Sequence, residues 1–322
     1  MFFSKLIEKT YKNNVFSRQD ADGSIFYFSA DDFPGLNSEP FSFVNGKGNR
    51  LNGFVYSYDG AEEGRLVIFD HGMGAGHRSY MKEIEMIARH GYKVLSYDHT
   101  GCTNSEGDGI RGLSGSLADL DECLCAVLAE GKYKEENISV IGHSWGGFSA
   151  MNIPAFHPSL RSVIAISGFV SLEKMQKQLI GGLLSPFRKK AFEIEYNANG
   201  KYAFANAAEG LRKSGVPALI IHSSDDKTVS AKLHFEVLRN SLSDVDSIEF
   251  YLVNGKDHNP NYTVEAIEYK NAFFRDLKKK RKSGEISTME QKNAFVSSYN
   301  WHKMTEQDEK IWQKIFDHLD KY

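Results

Sequence analysis

Short apolar runs recur along this chain with amphipathic stretches between them, and that alternation narrows the folds open to it. Residues 66–69 (LVIF), 93–98 (KVLSYD), 139–142 (SVIG), 162–167 (SVIAIS), 218–223 (ALIIHS) and 247–253 (SIEFYLV) each have the length of a strand. Residues 50–57 (RLNGFVYS) read as an earlier strand. The most continuous runs suit strands covered on both faces, as in a parallel sheet. Between them, residues 79–90 place Met81, Ile84 and Ile87 or Ala88 on one helical side, with Gly91 as a natural stop. Residues 116–130 and 230–242 also read as helices, and another begins after Ser144. Strands alternating with helices predict an α/β fold: a mainly parallel twisted sheet with helices on both faces, in a single domain over residues 1–322.

Two regions break the rhythm. Residues 168–205 are too long for a simple strand-to-strand connection. They carry Met175, Leu179, Leu183, Leu184, Phe187 and Phe192 among lysines, a pattern expected of a small helical cap or lid. Residues 261–304 form an unusual insertion before a last helix, TEQDEKIWQKIFDHL. Thr305 is the expected cap of that helix, and Ile311, Trp312, Ile315, Phe316 and Leu319 give it a broad apolar face.

Charge and composition exclude some function classes. The 322 residues are 41% hydrophobic and 25% charged, enough to bury a sizeable core. The net charge of −3 argues against nucleic acid as the main partner, since phosphate binding needs a basic surface. The run Lys278-Lys279-Lys280-Arg281-Lys282 reads as the solvated end of a helix. No apolar stretch approaches the roughly 18 residues of a membrane span, and Ser4 and Lys5 break the only early apolar run. Cys102, Cys123 and Cys125 are odd in number and lack metal-type spacing, which fits reduced thiols and a cytoplasmic location. Neither an HExxH nor a CxxC pair is present, so no metal or other cofactor is expected.

The chemistry-bearing motif is GHSWGG at 142–147, a G-x-S-x-G string made by Gly142, Ser144 and Gly146. It directly follows one expected strand and directly precedes a helix. That is the setting of a nucleophile elbow, in which a tight turn presents the serine hydroxyl at the edge of the sheet. The helix N-terminus then favours developing negative charge. A phosphate-binding loop is excluded because Phe148 occupies the place of its lysine. The glycine loop HGMGAGH at 71–77 could be taken for a dinucleotide loop, but His77 stands where a third glycine is needed.

With these motifs in view, the chain resembles α/β-hydrolases, in particular the esterase, monoglyceride-lipase and serine-aminopeptidase-like branch. The resemblance spans roughly residues 50–260 and rests on four motifs in order: HGMGAG, the D-x-x-G segment at 98–101, GHSWGG, and the pair HSSDDKTV and GKDH. It implies a triad in the order Ser, acid, His. Ser144 is the implied nucleophile. Matching His222 and Val229 to the family pattern H-G-x-x-D-x-x-V-P puts the acid at Asp226, with Asp225 as the alternative. Ser223 and Ser230 depart from that pattern.

Of the four histidines after Asp226, His234 falls in an expected helix and His302 and His318 in the polar tail. His258 follows the last strand and Gly255, and resembles the family G-x-x-H loop. It is the implied base, oriented by the aspartate. The oxyanion hole implied by the resemblance uses the backbone N–H of Trp145 and of Met73. His71 and Asp98 are expected to hold the ends of the glycine loop.

The implied reaction is hydrolysis of an ester of a small or medium acyl group through an acyl-serine intermediate. A peptidase or acyltransferase with the same triad is the alternative, and a non-catalytic binding protein of the same fold a more distant one. The expected partner is a small-molecule ester, with no nucleic acid and no integral membrane segment.

Overall fold

The computed structural model describes residues 2–74 and 76–322. Eight strands form one sheet: β1 (Asn37–Val44), β2 (Arg50–Ser57), β3 (Leu66–Asp70), β4 (Lys93–Tyr97), β5 (Ile138–His143), β6 (Ser162–Ile166), β7 (Ala218–Ser223) and β8 (Ile248–Val253). Their spatial order is β1-β2-β4-β3-β5-β6-β7-β8. β1 and β2 pair antiparallel, as do β2 and β4, and every later pairing is parallel. Every residue of β3, β5, β6 and β7 is buried. This is why those segments read as unbroken apolar runs rather than alternating ones.

Two hydrophobic layers cover the sheet. One packs the helices Gly115–Ala129, Trp145–Asn152 and Ala207–Ser214 through Leu117, Leu124, Phe148 and Leu211. The other packs Met81–Arg89, Val264–Ser283 and Glu309–Lys321 through Ile84, Ile87, Phe273, Trp312 and Leu319. Cys123 faces the core and Cys125 the surface, as a two-residue offset on a helix dictates. The basic run ends the helix Val264–Ser283 and is largely exposed.

Three local expectations are corrected. Only Phe235–Ser241 of the stretch 230–242 is α-helical, since residues 231–234 form turns that lead into it. The last helix starts later than expected. Asp308, not Thr305, is its N-cap and accepts from the amides of Lys310 and Ile311. Thr305 instead closes the short helix Trp301–Met304, its hydroxyl donating to the carbonyl of Trp301 at 2.7 Å. Ahead of β2, the chain also builds a helix Phe2–Val15 and the edge strand β1, neither of which the apolar pattern marks.

The two irregular regions are both helical. Residues 168–205 contain the helices Leu172–Leu179 and Arg188–Asn199, each flanked by a 3-10 segment on its C-terminal side. Glu195 anchors the second. Its carboxylate accepts from Tyr11 Oη at 2.8 Å, Leu113 N at 2.8 Å and Ser114 Oγ at 2.9 Å, and so ties the segment to the N-terminal helix and the body. Residues 261–304 hold Val264–Ser283, Met289–Ser297 and Trp301–Met304, gathered around the buried ring of Phe273. Among the described residues, no helix is long and apolar enough to cross a membrane.

Candidate active site

The loops that follow β5, β7 and β8 leave the same edge of the sheet, because these strands are parallel. Ser144 follows β5 directly, with φ 57° and ψ −110°, a backbone conformation costly for a residue with a Cβ. The turn is held from both sides. The Ser144 amide donates to Ile166 O at 2.8 Å, and its carbonyl accepts from Phe148 N at 3.0 Å. Glycine is required at the two flanking positions. A Cβ on Gly142 would lie 2.1 Å from the carbonyl oxygen of Gly146, and one on Gly146 would lie 1.9 Å from that of Asp70.

Three side chains separated in sequence meet here. Ser144 Oγ lies 2.9 Å from His258 Nε2, and His258 Nδ1 lies 2.8 Å from Asp226 Oδ2. Ser144 and His258 are partly exposed, while Asp226 is buried. Burial alone would raise the Asp226 pKa, but hydrogen bonds from His222 and His258 and from the Val229 amide outweigh it and hold the carboxyl well below its usual range. Its Oδ1 accepts from the amides of Thr228 and Val229 at 2.8 and 2.9 Å. Asp226 is thus fixed as an anion whose other oxygen, Oδ2, faces the imidazole.

Asp225 points elsewhere. Its Oδ1 accepts from Ser223 Oγ at 2.5 Å and from the Gly255 amide at 2.9 Å, bracing the loop that carries His258. The other three histidines have partners away from Ser144. His234 Nδ1 accepts from the Val170 amide, His302 packs on Phe28, and His318 lies beside Glu249.

Trp145 is the first residue of its helix, so its N–H has no acceptor within that helix. Met73 follows Gly72, where an added Cβ would come within 3.3 Å of Ser144 Cβ. Trp145 thus adjoins Ser144 in the chain, and Met73 adjoins a glycine packed against it. The glycine loop is tied down behind them. His71 Nδ1 donates to Gly72 O at 2.7 Å, and its Nε2 accepts from the His99 amide at 3.1 Å. Asp98 Oδ1 accepts from the His77 amide at 2.8 Å and contacts His77 Nδ1 at 2.7 Å.

His143 and Tyr80 join the site although neither stood out in the sequence. His143 Nε2 donates to the carbonyl of His258 at 2.8 Å, and Tyr80 Oη donates to His143 Nδ1 at 2.9 Å. Burial, reinforced by nearby His258, pushes the His143 pKa down to about 3, which keeps the ring neutral with its proton on Nε2. Its place beside Ser144 inside GHSWGG was the one available signal.

The fold also gathers Asp121, Cys125 and His157, whose possible ligand atoms lie within 4.8 Å of one another. Asp121 and His157 are already engaged. His157 Nε2 is 2.8 Å from Asp121, and Lys201 and the Tyr202 hydroxyl bind the same carboxylate.

Residues 61–206 match the family model described as serine aminopeptidase, S33. A 2-hydroxy-6-oxo-6-(2'-aminophenyl)hexa-2,4-dienoic acid hydrolase of Metapseudomonas resinovorans is 24% identical over 237 residues, covering 61% of this chain and 78% of that protein. The AB hydrolase superfamily protein YfhM of Bacillus subtilis is 28% identical over 127 residues, 39% of this chain and 42% of that one. Among solved structures, an esterase of Pyrococcus furiosus superposes with a TM-score of 0.58 at 16% identity, covering 83% of this chain and 98% of the esterase. The sheet order, the elbow after β5 and the superposition on the esterase show the α/β-hydrolase fold, and the matches in sequence are to proteins described as hydrolases and as a serine aminopeptidase family.

Proposed function

We propose that the protein is a serine hydrolase that cleaves a carboxylic ester of a small or medium acyl group through an acyl-Ser144 intermediate. The observation that carries this reading is the continuous contact Ser144 Oγ to His258 Nε2 and His258 Nδ1 to Asp226 Oδ2.

His258 takes the Ser144 proton as Oγ attacks the ester carbonyl. The amides of Trp145 and Met73 stabilise the oxyanion. Collapse of the tetrahedral adduct breaks the bond to the alcohol oxygen, which leaves with the proton held by His258. Water, deprotonated in turn by His258, then attacks the acyl-enzyme and releases the acid and free Ser144. Asp226, an anion throughout, orients the ring and stabilises its charged form. Residues 168–205 act as a lid over this edge of the sheet.

A fluorophosphonate probe is expected to label Ser144, and Ser144→Ala is expected to fold normally and lose at least about a thousandfold in p-nitrophenyl ester hydrolysis. Near-normal turnover by that variant would end this reading. The match to a family model described as a serine aminopeptidase favours one alternative, amide cleavage by the same groups. A panel of aminoacyl amides beside the esters separates the two.

A further inference from the structure

Beside the His258 loop lies a cavity of about 170 Å³ that the reaction above does not use. The N-terminal segment supplies Phe26 and Phe28, and the 261–304 insertion supplies Lys270, Phe274, Trp301 and Met304. Tyr80 and Asn259 form its wall toward the site, together with Tyr262. Tyr80 bonds His143, and a Cβ on Gly72 would meet both Tyr80 Oη, at 2.4 Å, and Ser144 Cβ, at 3.3 Å. Asn259 is the residue after His258. Tyr80 and Asn259 thus stand between the cavity and the Ser144–His258 pair, one side chain away from it.

Its one unusual occupant is Lys270. The side chain is mostly buried, and its Nζ has one acceptor, Asn259 Oδ1 at 2.8 Å. The ammonium also sits 5.3 Å from the centre of the Tyr262 ring. Among the described residues, no carboxylate forms an ion pair with it. Burial pushes its pKa down, against the attraction of the more distant Glu83 and Asp257. An ammonium withdrawn from water with two of its three donors uncommitted is costly unless an anion completes it. Lys82, also on the cavity wall, adds a second positive charge. Apart from Ser79 and Thr305 the remaining lining is aromatic and apolar, which suits a ring-sized arm.

We infer that this cavity is a subsite for a carboxylate carried on an apolar, ring-sized arm of the substrate, with Lys270 as the residue that binds the carboxylate. The assignment rests on the hydrolase reading for its link to turnover, but the binding itself does not need it. Asn259 holds the ammonium on one side and leaves its other donors toward the cavity. A neutral arm of the same shape fills the aromatic walls yet leaves the ammonium unpaired, so the site discriminates by charge.

The test compares phenylacetate with phenylacetamide, by calorimetric titration of the full chain and by inhibition of p-nitrophenyl acetate hydrolysis. The wild type is expected to bind phenylacetate at least about tenfold more tightly than the amide, and phenylacetate is expected to compete with the ester. Lys270→Met is expected to abolish the preference for the charged probe, and Lys270→Arg to retain most of it. Thermal melts of both variants report their folding, and the Arg variant keeps the test decisive if the Met variant is unstable. Equal binding of the two probes by the wild type, or an unchanged preference in a folded Lys270→Met, overturns the assignment. Lys270-dependent binding without competition would move the cavity from substrate subsite to a separate anion site, and so overturn the proposal as stated. If no ester is turned over and no fluorophosphonate adduct forms while phenylacetate still binds through Lys270, the hydrolase reading fails and the anion pocket stands.

Discussion

The carbonyl oxygen of His258 accepts a hydrogen bond from Nε2 of His143 at 2.8 Å, so the residue before Ser144 holds the loop of the imidazole that Ser144 contacts. Tyr80 fixes the donor's tautomer from the other side. This makes His143 a positioning residue. His143→Ala is expected to lower kcat by about tenfold to a hundredfold, because small displacements of a reacting group are that costly. KM should change little, and His143→Gln, which keeps a donor, should recover part of the loss. An unchanged kcat, or a rise in KM alone, would count against this role.

The two neighbouring aspartates differ in what they touch. Asp226→Asn removes the anion beside His258 Nδ1 and is expected to lower turnover by about ten-thousandfold, the scale seen when a triad carboxylate loses its charge. Asp225→Asn loosens the Gly255 turn and should act more weakly, with a lower melting temperature as its main effect. Steady-state kinetics and melting curves of both variants give the ranking. The reverse order would transfer the orienting role to Asp225.

A buried charge cluster beneath the glycine loop predicts a pH effect on stability. His99 Nε2 and Nδ1 lie 3.0 and 3.4 Å from Asp70 and Asp119 carboxylate oxygens, as ion pairs rather than aligned hydrogen bonds. Burial alone would push its pKa down, but the two carboxylates outweigh that and raise it to about 9. The folded-state pKa exceeds the ordinary value of 6.5. The stabilisation is therefore full below about pH 6.5 and is lost as the pH rises through about 9, on the order of 3 kcal/mol in all. Chemical denaturation of the wild type and of His99→Gln at pH 6, 8 and 10 is expected to show a stability gap that narrows with pH. A gap that stays constant would mean that His99 is neutral in the folded protein.

How much of this was visible beforehand depended on burial. The central strands are covered on both faces, so their runs are apolar without interruption, and their mainly parallel direction followed from the helices between them. β1 is an edge strand with only Phe43 buried and with Pro40 in its middle, so neither alternation nor a continuous run marks it. Ser144 stood out because its turn needs glycines on both sides, a local demand that a local string records. His143, Tyr80 and Lys270 left no such trace. Tyr80 is 63 positions from His143, and the carbonyl that His143 bonds is 115 positions away, so only the closed sheet brings them together. Lys270 lies inside the insertion 261–304 with no motif around it, and only the folded chain brings it to a cavity that Phe26 and Phe28 also line.

The segment 168–205 provides the last prediction. Its first helix touches the loop of the candidate acid directly. Gln178 Nε2 donates to Thr228 O at 2.8 Å, and Gln178 Oε1 accepts from Ser230 N at 3.0 Å. Just beyond it, Leu179 is 49% exposed, Leu184 42% and Leu183 98%, a cluster of bare leucines that contributes little to the core as it stands. Such side chains would gain burial by closing on an acyl chain, and closure would exclude water from the acyl-enzyme. Leu183→Asp should therefore leave the melting temperature almost unchanged, since a fully exposed site has little packing to lose. It should also shift the preference among p-nitrophenyl acetate, butyrate and octanoate toward the shorter esters, with Leu179→Asp acting in the same direction. The measurement is kcat/KM across the series. An unaltered profile in both folded variants would reduce the segment to inert surface, whereas unfolding of Leu183→Asp would show that its side chain packs in solution.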